Sequence, residues 1–80
     1  MVFLYVEFKP CTASDYMVGQ MNQLGLVRSQ FRMFESSDNV VSYSIVKVPA
    51  EDETKFSRSL LMLPRVARVE SAYVGRVVSC

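Results

Sequence analysis

Cys11 is the residue of this chain whose setting most favours reactivity. It follows Lys9-Pro10 and precedes Thr12-Ala13-Ser14-Asp15, a helix-start sequence. A neighbouring cation and the positive end of a helix both stabilise a thiolate, so the position suits a reactive or sensing thiol. The plain alternative is a small residue filling a strand-to-helix turn, the common fate of a free cysteine. Thr12 and Ser14, with the free amides after them, could accept a phosphate or carboxylate, as any helix start can. The same residues serve equally as ordinary caps. A small copper carrier needs Cys-x-x-Cys in such a turn, and Cys11-Thr12-Ala13-Ser14 supplies only the first thiol.

Much other chemistry is excluded by what the chain lacks. It contains no histidine. That removes imidazole acid–base catalysis, Ser–His and Cys–His nucleophiles, and histidine ligation of zinc. The two cysteines, Cys11 and Cys80, cannot build a structural zinc site unaided, and they match no disulfide-rich secreted pattern. A reduced, cytoplasmic chain is the expectation. Glu51-Asp52-Glu53 belongs to a first helical turn, where acids complement the helix dipole. With three glycines there is no phosphate-binding loop. The residues therefore point to no catalytic group, no metal and no cofactor.

Eighty residues predict one domain, 1–80. A domain of this size buries only about 60–65 % of its unfolded surface. Half the residues are hydrophobic, an excess that suggests surface covered by a partner, a second copy above all. Nine Lys and Arg against eight Asp and Glu leave a net charge of +1, unlike the basic excess of a nucleic-acid binder. No apolar run approaches the roughly 18 residues that would span a bilayer, so no membrane partner is expected. The apolar stretch Met1–Val6 is ended by Glu7 and Lys9 and has no basic segment before it. It reads as a strand rather than a signal peptide.

The elements that must position these residues follow from hydrophobic period. Val2, Leu4, Val6 and Phe8 alternate with Phe3, Tyr5 and Glu7, a strand apolar on both faces and hence central; Lys9-Pro10-Cys11 ends it. Thr12, with Asp15 three residues on, predicts a short-armed capping box. Met17, Met21 and Leu24 then form one helical stripe, closed by Gly25 as a left-handed cap. Val27–Glu35 reads as a second strand, with Val27, Ser29, Phe31 and Met33 on one face and Arg28, Gln30 and Arg32 on the other. Ser36-Ser37-Asp38-Asn39 is a turn, and Val40–Val48 returns as a β-branched third strand. Pro49 and three acids open a second helix with an inward stripe of Phe56, Leu60 and Leu63, joined by Ser59 and Leu61. Pro64 stops it. Val66, Val69 and the segment through Tyr73 form the last strand, with Val74–Val78 either extending it or forming a tail.

Strand, helix, strand, strand, helix, strand, with right-handed crossovers, predicts an α+β ferredoxin-like βαββαβ sandwich. Two helices cover one face of a four-stranded antiparallel sheet. The other face is open and carries Phe3, Tyr5 and Glu7. Aromatics there must meet solvent, a ligand or another protein. Phe3, Tyr5, Arg28, Arg32 and Tyr43 could make an aromatic–basic surface of the kind on which RNA-recognition motifs stack bases. Val40–Val46 holds one aromatic where those motifs are aromatic-rich, and the net charge is too low, so a nucleic-acid partner is not expected.

Asn22-Gln23-Leu24-Gly25-Leu26-Val27, leading into the hairpin, and Ser59-Leu60-Leu61-Met62-Leu63-Pro64-Arg65-Val66-Ala67-Arg68-Val69 resemble the ACT-like family of small regulatory domains. The resemblance spans nearly the whole chain. Its ending is shared by the ligand-sensing domains of leucine-responsive regulators and by cytoplasmic tails of some transport proteins. Where amino-acid-binding members carry Asp-x-Pro-Gly-x-Leu after the first strand, this chain has Lys9-Pro10-Cys11-Thr12-Ala13-Ser14, with neither the Asp nor the Gly. The resemblance implies a non-enzymatic regulatory or oligomerisation module. It would form homodimers through the open face, at Phe3 and Tyr5, or through an edge strand. A small-molecule ligand would lie at the contact, against Lys9, Cys11, Thr12 and Ser14 and against Leu26 and Arg28. The rival expectation is a small dimeric ferredoxin-like enzyme with a cavity between sheet and helices, for which Tyr43 and Arg32 are the nearest polar candidates.

Overall fold

The computed structural model describes residues 1–72. The chain folds as β1 (Val2–Ala13), α1 (Ser14–Gln23), β2 (Phe31–Ser37), β3 (Val40–Val48), α2 (Glu53–Leu61) and β4 (Val66–Ala72), with 3₁₀ turns over Arg28–Gln30 and Ala50–Asp52. The four strands form one antiparallel sheet in the order β2-β3-β1-β4. This is the ferredoxin-like α+β sandwich. Tyr73 to Cys80, including the expected end of the last strand, lie outside the described residues.

The period-2 pattern of β1 sorts its side chains as expected. Val2, Leu4, Val6 and Phe8 are buried against the helices, with Val41, Val46 and Val48 of β3, Phe31 of β2 and Val66 of β4 beside them. Met17 and Met21 of α1, and Phe56 and Leu60 of α2, close the core from above. Leu24 and Leu63 pack at its margin. Leu61 does not join the inward stripe of α2: it is 54 % exposed, and Met62 after it 84 %. A position one residue past Leu60 is rotated by about 100° around a helix, which carries it off the buried face.

Several boundaries differ from the sequence reading, among them the end of β2, which runs to Ser37 rather than Glu35. β1 does not end at Lys9-Pro10-Cys11. Pro10 cannot donate to the ladder, and the register slips between Glu7 and Thr12; the strand then re-pairs, Thr12 with Val41 and Ala13 with Val40. Cys11 sits in the slip with φ +62°. β2 begins at Phe31, not Val27, because Arg28–Gln30 winds into a 3₁₀ turn in which the Val27 N–H donates to Gln30 Oε1 at 3.0 Å. The Pro49 signal produces a 3₁₀ turn before α2 itself starts at Glu53. Gly25 behaves as expected. At φ +91° it lets its own N–H reach the Asn22 carbonyl and that of Leu26 reach the Met21 carbonyl, the paired bonds of a Schellman cap.

Thr12 does not cap α1. Its hydroxyl donates back to the Lys9 carbonyl at 2.6 Å and accepts from Arg65 Nε at 3.3 Å. The cap comes from the hairpin turn instead. The Asn39 carbonyl accepts from the Ser14 N–H at 3.0 Å, and Asn39 Oδ1 accepts from the Asp15 N–H at 3.3 Å. Asn39 itself has φ +55°, a conformation that Asn tolerates better than most residues. Asn39→Gly keeps the turn but loses the side-chain bond, whereas Asn39→Ala loses both. Urea denaturation should show Ala costing about 1–2 kcal/mol and Gly clearly less. Equal costs would mean that the left-handed turn contributes nothing.

Candidate functional site

The open face of the sheet is the surface on which functional side chains gather. Strand register fixes its layout. Across one row lie Arg32, Ile45, Tyr5 and Glu70, and across the next Phe34, Tyr43, Glu7 and Arg68. Phe3 and Lys47 pair in the row on the other side of Tyr5. Phe3, Tyr5, Phe34, Tyr43 and Ile45 are each half-buried, although no helix among the described residues covers them. They shield one another. Phe34 stacks on Tyr43 with ring centroids 4.5 Å apart and planes at 6°, and Tyr5 tilts against Tyr43 at 5.3 Å. Aromatic pairs of this kind add about 0.5–1.5 kcal/mol beyond burial.

The charges around this cluster are unevenly matched. On the β1–β4 side Arg68 is neutralised twice, by Glu7 at 3.0 Å and Glu70 at 3.3 Å, and its guanidinium lies 5.7 Å from the Tyr5 ring centre. On the β2–β3 side Arg32 lies over the Phe34 ring at 5.1 Å. Neither Arg32 nor Lys47 has an ion-pair partner among the described residues. A shallow groove of about 330 Å³ runs here, floored by Phe3, Phe34 and Ile45 and flanked by those two cations. A second groove, of about 370 Å³, lies at the far end of the face, where Tyr5, Glu7 and Tyr43 meet Lys9, Pro10 and Cys11.

The residues expected to hold a ligand are divided by the fold. Lys9 and Cys11 line the second groove, and Cys11 is exposed with a free thiol; it does not fill the turn as buried packing. Thr12 and Ser14 beside it are buried. Leu26 is buried in the core, and Arg28 lies in the 3₁₀ turn, donating from Nη1 to the Phe31 carbonyl at 3.3 Å and lying over the Phe31 ring. Those two sit at the opposite end of the sheet. Thr12 pairs with Val41 at one end of β3, whereas Gln30, beside Arg28, reaches the Lys47 carbonyl at the other. The two segments do not form one site within a single chain.

Phe3, Tyr5, Arg32 and Tyr43 lie on the open face as the alternation predicts, but Arg28 does not reach it. Arg32 and Tyr43 also do not point between sheet and helices, so neither is placed for the enzyme expectation. Sequence reasoning missed Phe34, Ile45, Lys47 and Arg68. The signal for the first three was present, since Phe34 shares the parity of Arg32, and Ile45 and Lys47 that of Tyr43.

No family model matches the chain, and neither a curated protein nor a solved structure matches it. Among the described residues no helix is long and apolar enough to cross a membrane.

Proposed function

We propose that this chain is a non-enzymatic, ACT-like regulatory or oligomerisation module of the cytoplasm that pairs with a second copy through its open sheet face. One observation carries the reading: five large apolar side chains, Phe3, Tyr5, Phe34, Tyr43 and Ile45, form a contiguous cluster on a face that no helix covers among the described residues. Contiguous apolar patches on small domains mark contact surfaces. Both charge signs border the cluster, as a self-complementary surface requires. A small ligand bound where two copies meet would lie against Lys9 and Cys11, which line the groove at that end of the face.

Sedimentation across a dilution series from about 100 µM to 0.1 µM tests this, a range that covers the affinities of ordinary protein contacts. A reversible monomer–dimer equilibrium is expected. A monomer at every concentration would overturn the reading. The second reading, an RNA-stacking face, has in its favour the aromatic cluster and two cations, Arg32 and Lys47, with no ion pair among the described residues. Salt-dependent association with short RNA would support it.

A further inference from the structure

The arrangement of charges on the open face selects one way for two copies to meet. Sheets packed face to face lie about 10 Å apart with their strands aligned to within roughly 30°. A two-fold axis in that interface runs either along the strands or across them. Only an axis along the strands, between β3 and β1, exchanges the two edges of the sheet.

We propose that two copies meet about this axis, so that Arg32 on β2 of each copy pairs with Glu70 on β4 of the other. The inference rests on the open-face pairing proposed above and names its geometry. Each row of the face then meets itself reversed. Arg32, Ile45, Tyr5 and Glu70 lie against Glu70, Tyr5, Ile45 and Arg32, two ion pairs enclosing apolar contacts. In the next row Phe34 meets Arg68 and the Tyr43 hydroxyl meets the Glu7 carboxylate. In the row beyond Tyr5, Lys47 comes over the Phe3 ring. Every contact pairs opposite charges, a cation with a ring, a hydroxyl with a carboxylate, or two apolar groups. The edge strands lie about 7 Å from the axis. A rotation of up to about 30° displaces their residues by roughly 4 Å, within reach of an arginine side chain.

The across-strand alternatives leave Arg32 without a carboxylate. An axis through the Arg32 row sets Arg32 on Arg32 and Glu70 on Glu70. An axis between this row and the next brings Glu70 to Arg68, which its own chain already neutralises, and gives Arg32 no carboxylate. Arg32 is the edge cation without an ion pair among the described residues, and the along-strand axis is the arrangement that supplies one.

The test uses Arg32→Glu and Glu70→Arg in the full chain, separately and mixed, with dimerisation read by sedimentation equilibrium and folding by thermal melting. Each variant alone sets like charges together at both edges and should weaken pairing at least about tenfold. An equimolar mixture of the two should form heterodimers and recover most of the affinity that each variant loses, because each contact between the copies is again Arg against Glu, while Arg68 keeps Glu7 within its own chain. Rescue in the mixture cannot arise from a contact within one chain, so it supports the proposed axis. Failure of the mixture to pair, while wild type pairs and Tyr43→Asp does not, would overturn the axis and leave open-face pairing standing. A wild-type chain that stays monomeric at every concentration would overturn both.

Discussion

Leu4→Ala is expected to lower the free energy of unfolding by roughly 2–5 kcal/mol, the range for large-to-small changes at sites that cannot collapse. Leu4 has no exposed surface. It lies on β1, a central strand flanked by β3 and β4, with Val46 and Ser71 as its cross-strand partners. Both neighbours are fixed by backbone ladders, so the space left by the lost side chain stays open. A chain of 80 residues has a total stability of roughly 4–12 kcal/mol at about 0.05–0.15 kcal/mol per residue, so this one change removes a large share. Urea denaturation should show a lower midpoint at an unchanged slope. The same substitution at Leu61, 54 % exposed at the end of α2, should stay within about 0.5 kcal/mol. Similar losses at the two leucines would mean that the helices do not cover the sheet as described.

The second large effect concerns association rather than folding. Tyr43→Asp should weaken pairing of copies at least about 100-fold, as expected for a central aromatic anchor replaced by a charge. Tyr43 touches both Phe34 and Tyr5, so the change removes the middle of the cluster. Folding should also suffer, by about 1–3 kcal/mol for the two ring contacts. Sedimentation and urea denaturation on the same preparation separate the effects. Tyr43→Phe keeps both ring contacts and should weaken pairing less than Tyr43→Asp does, losing only the two symmetry-related hydrogen bonds to Glu7, each about 1 kcal/mol. A dimer that survives Tyr43→Asp unchanged would move the contact to an edge strand.

The parts of this fold legible in the sequence are those governed by local period and turn chemistry. β3 occupies Val40–Val48 as its β-branched run indicates, and Gly25 closes α1 where the apolar stripe stops. What escaped was set by contacts distant in sequence. Pro10 reads as a strand stop, yet pairing of Thr12 and Ala13 with β3 carries β1 past it. Thr12 reads as a helix cap, yet Arg65 and the Lys9 carbonyl claim its hydroxyl. Arg28-Ser29-Gln30 has no apolar period to separate a strand from a 3₁₀ turn. On the candidate site, alternation alone put Phe3 and Tyr5 on the open face. The neighbours that make it a continuous surface depend on register across four strands. A slip of one residue would have turned Phe34, Ile45 and Arg68 inward.

The bonds from Asn39 to Ser14 and Asp15 join positions 24 residues apart or more. A helix start is ordinarily free to fray on its own, but here its first turn is anchored to the tip of the hairpin. Opening the hairpin releases the helix amides, and fraying the helix strips the tip of its partners. The two elements that the sheet places at its edge and on its roof therefore share one opening equilibrium, and the amides of Ser14 and Asp15 should exchange with solvent in step with those of β2.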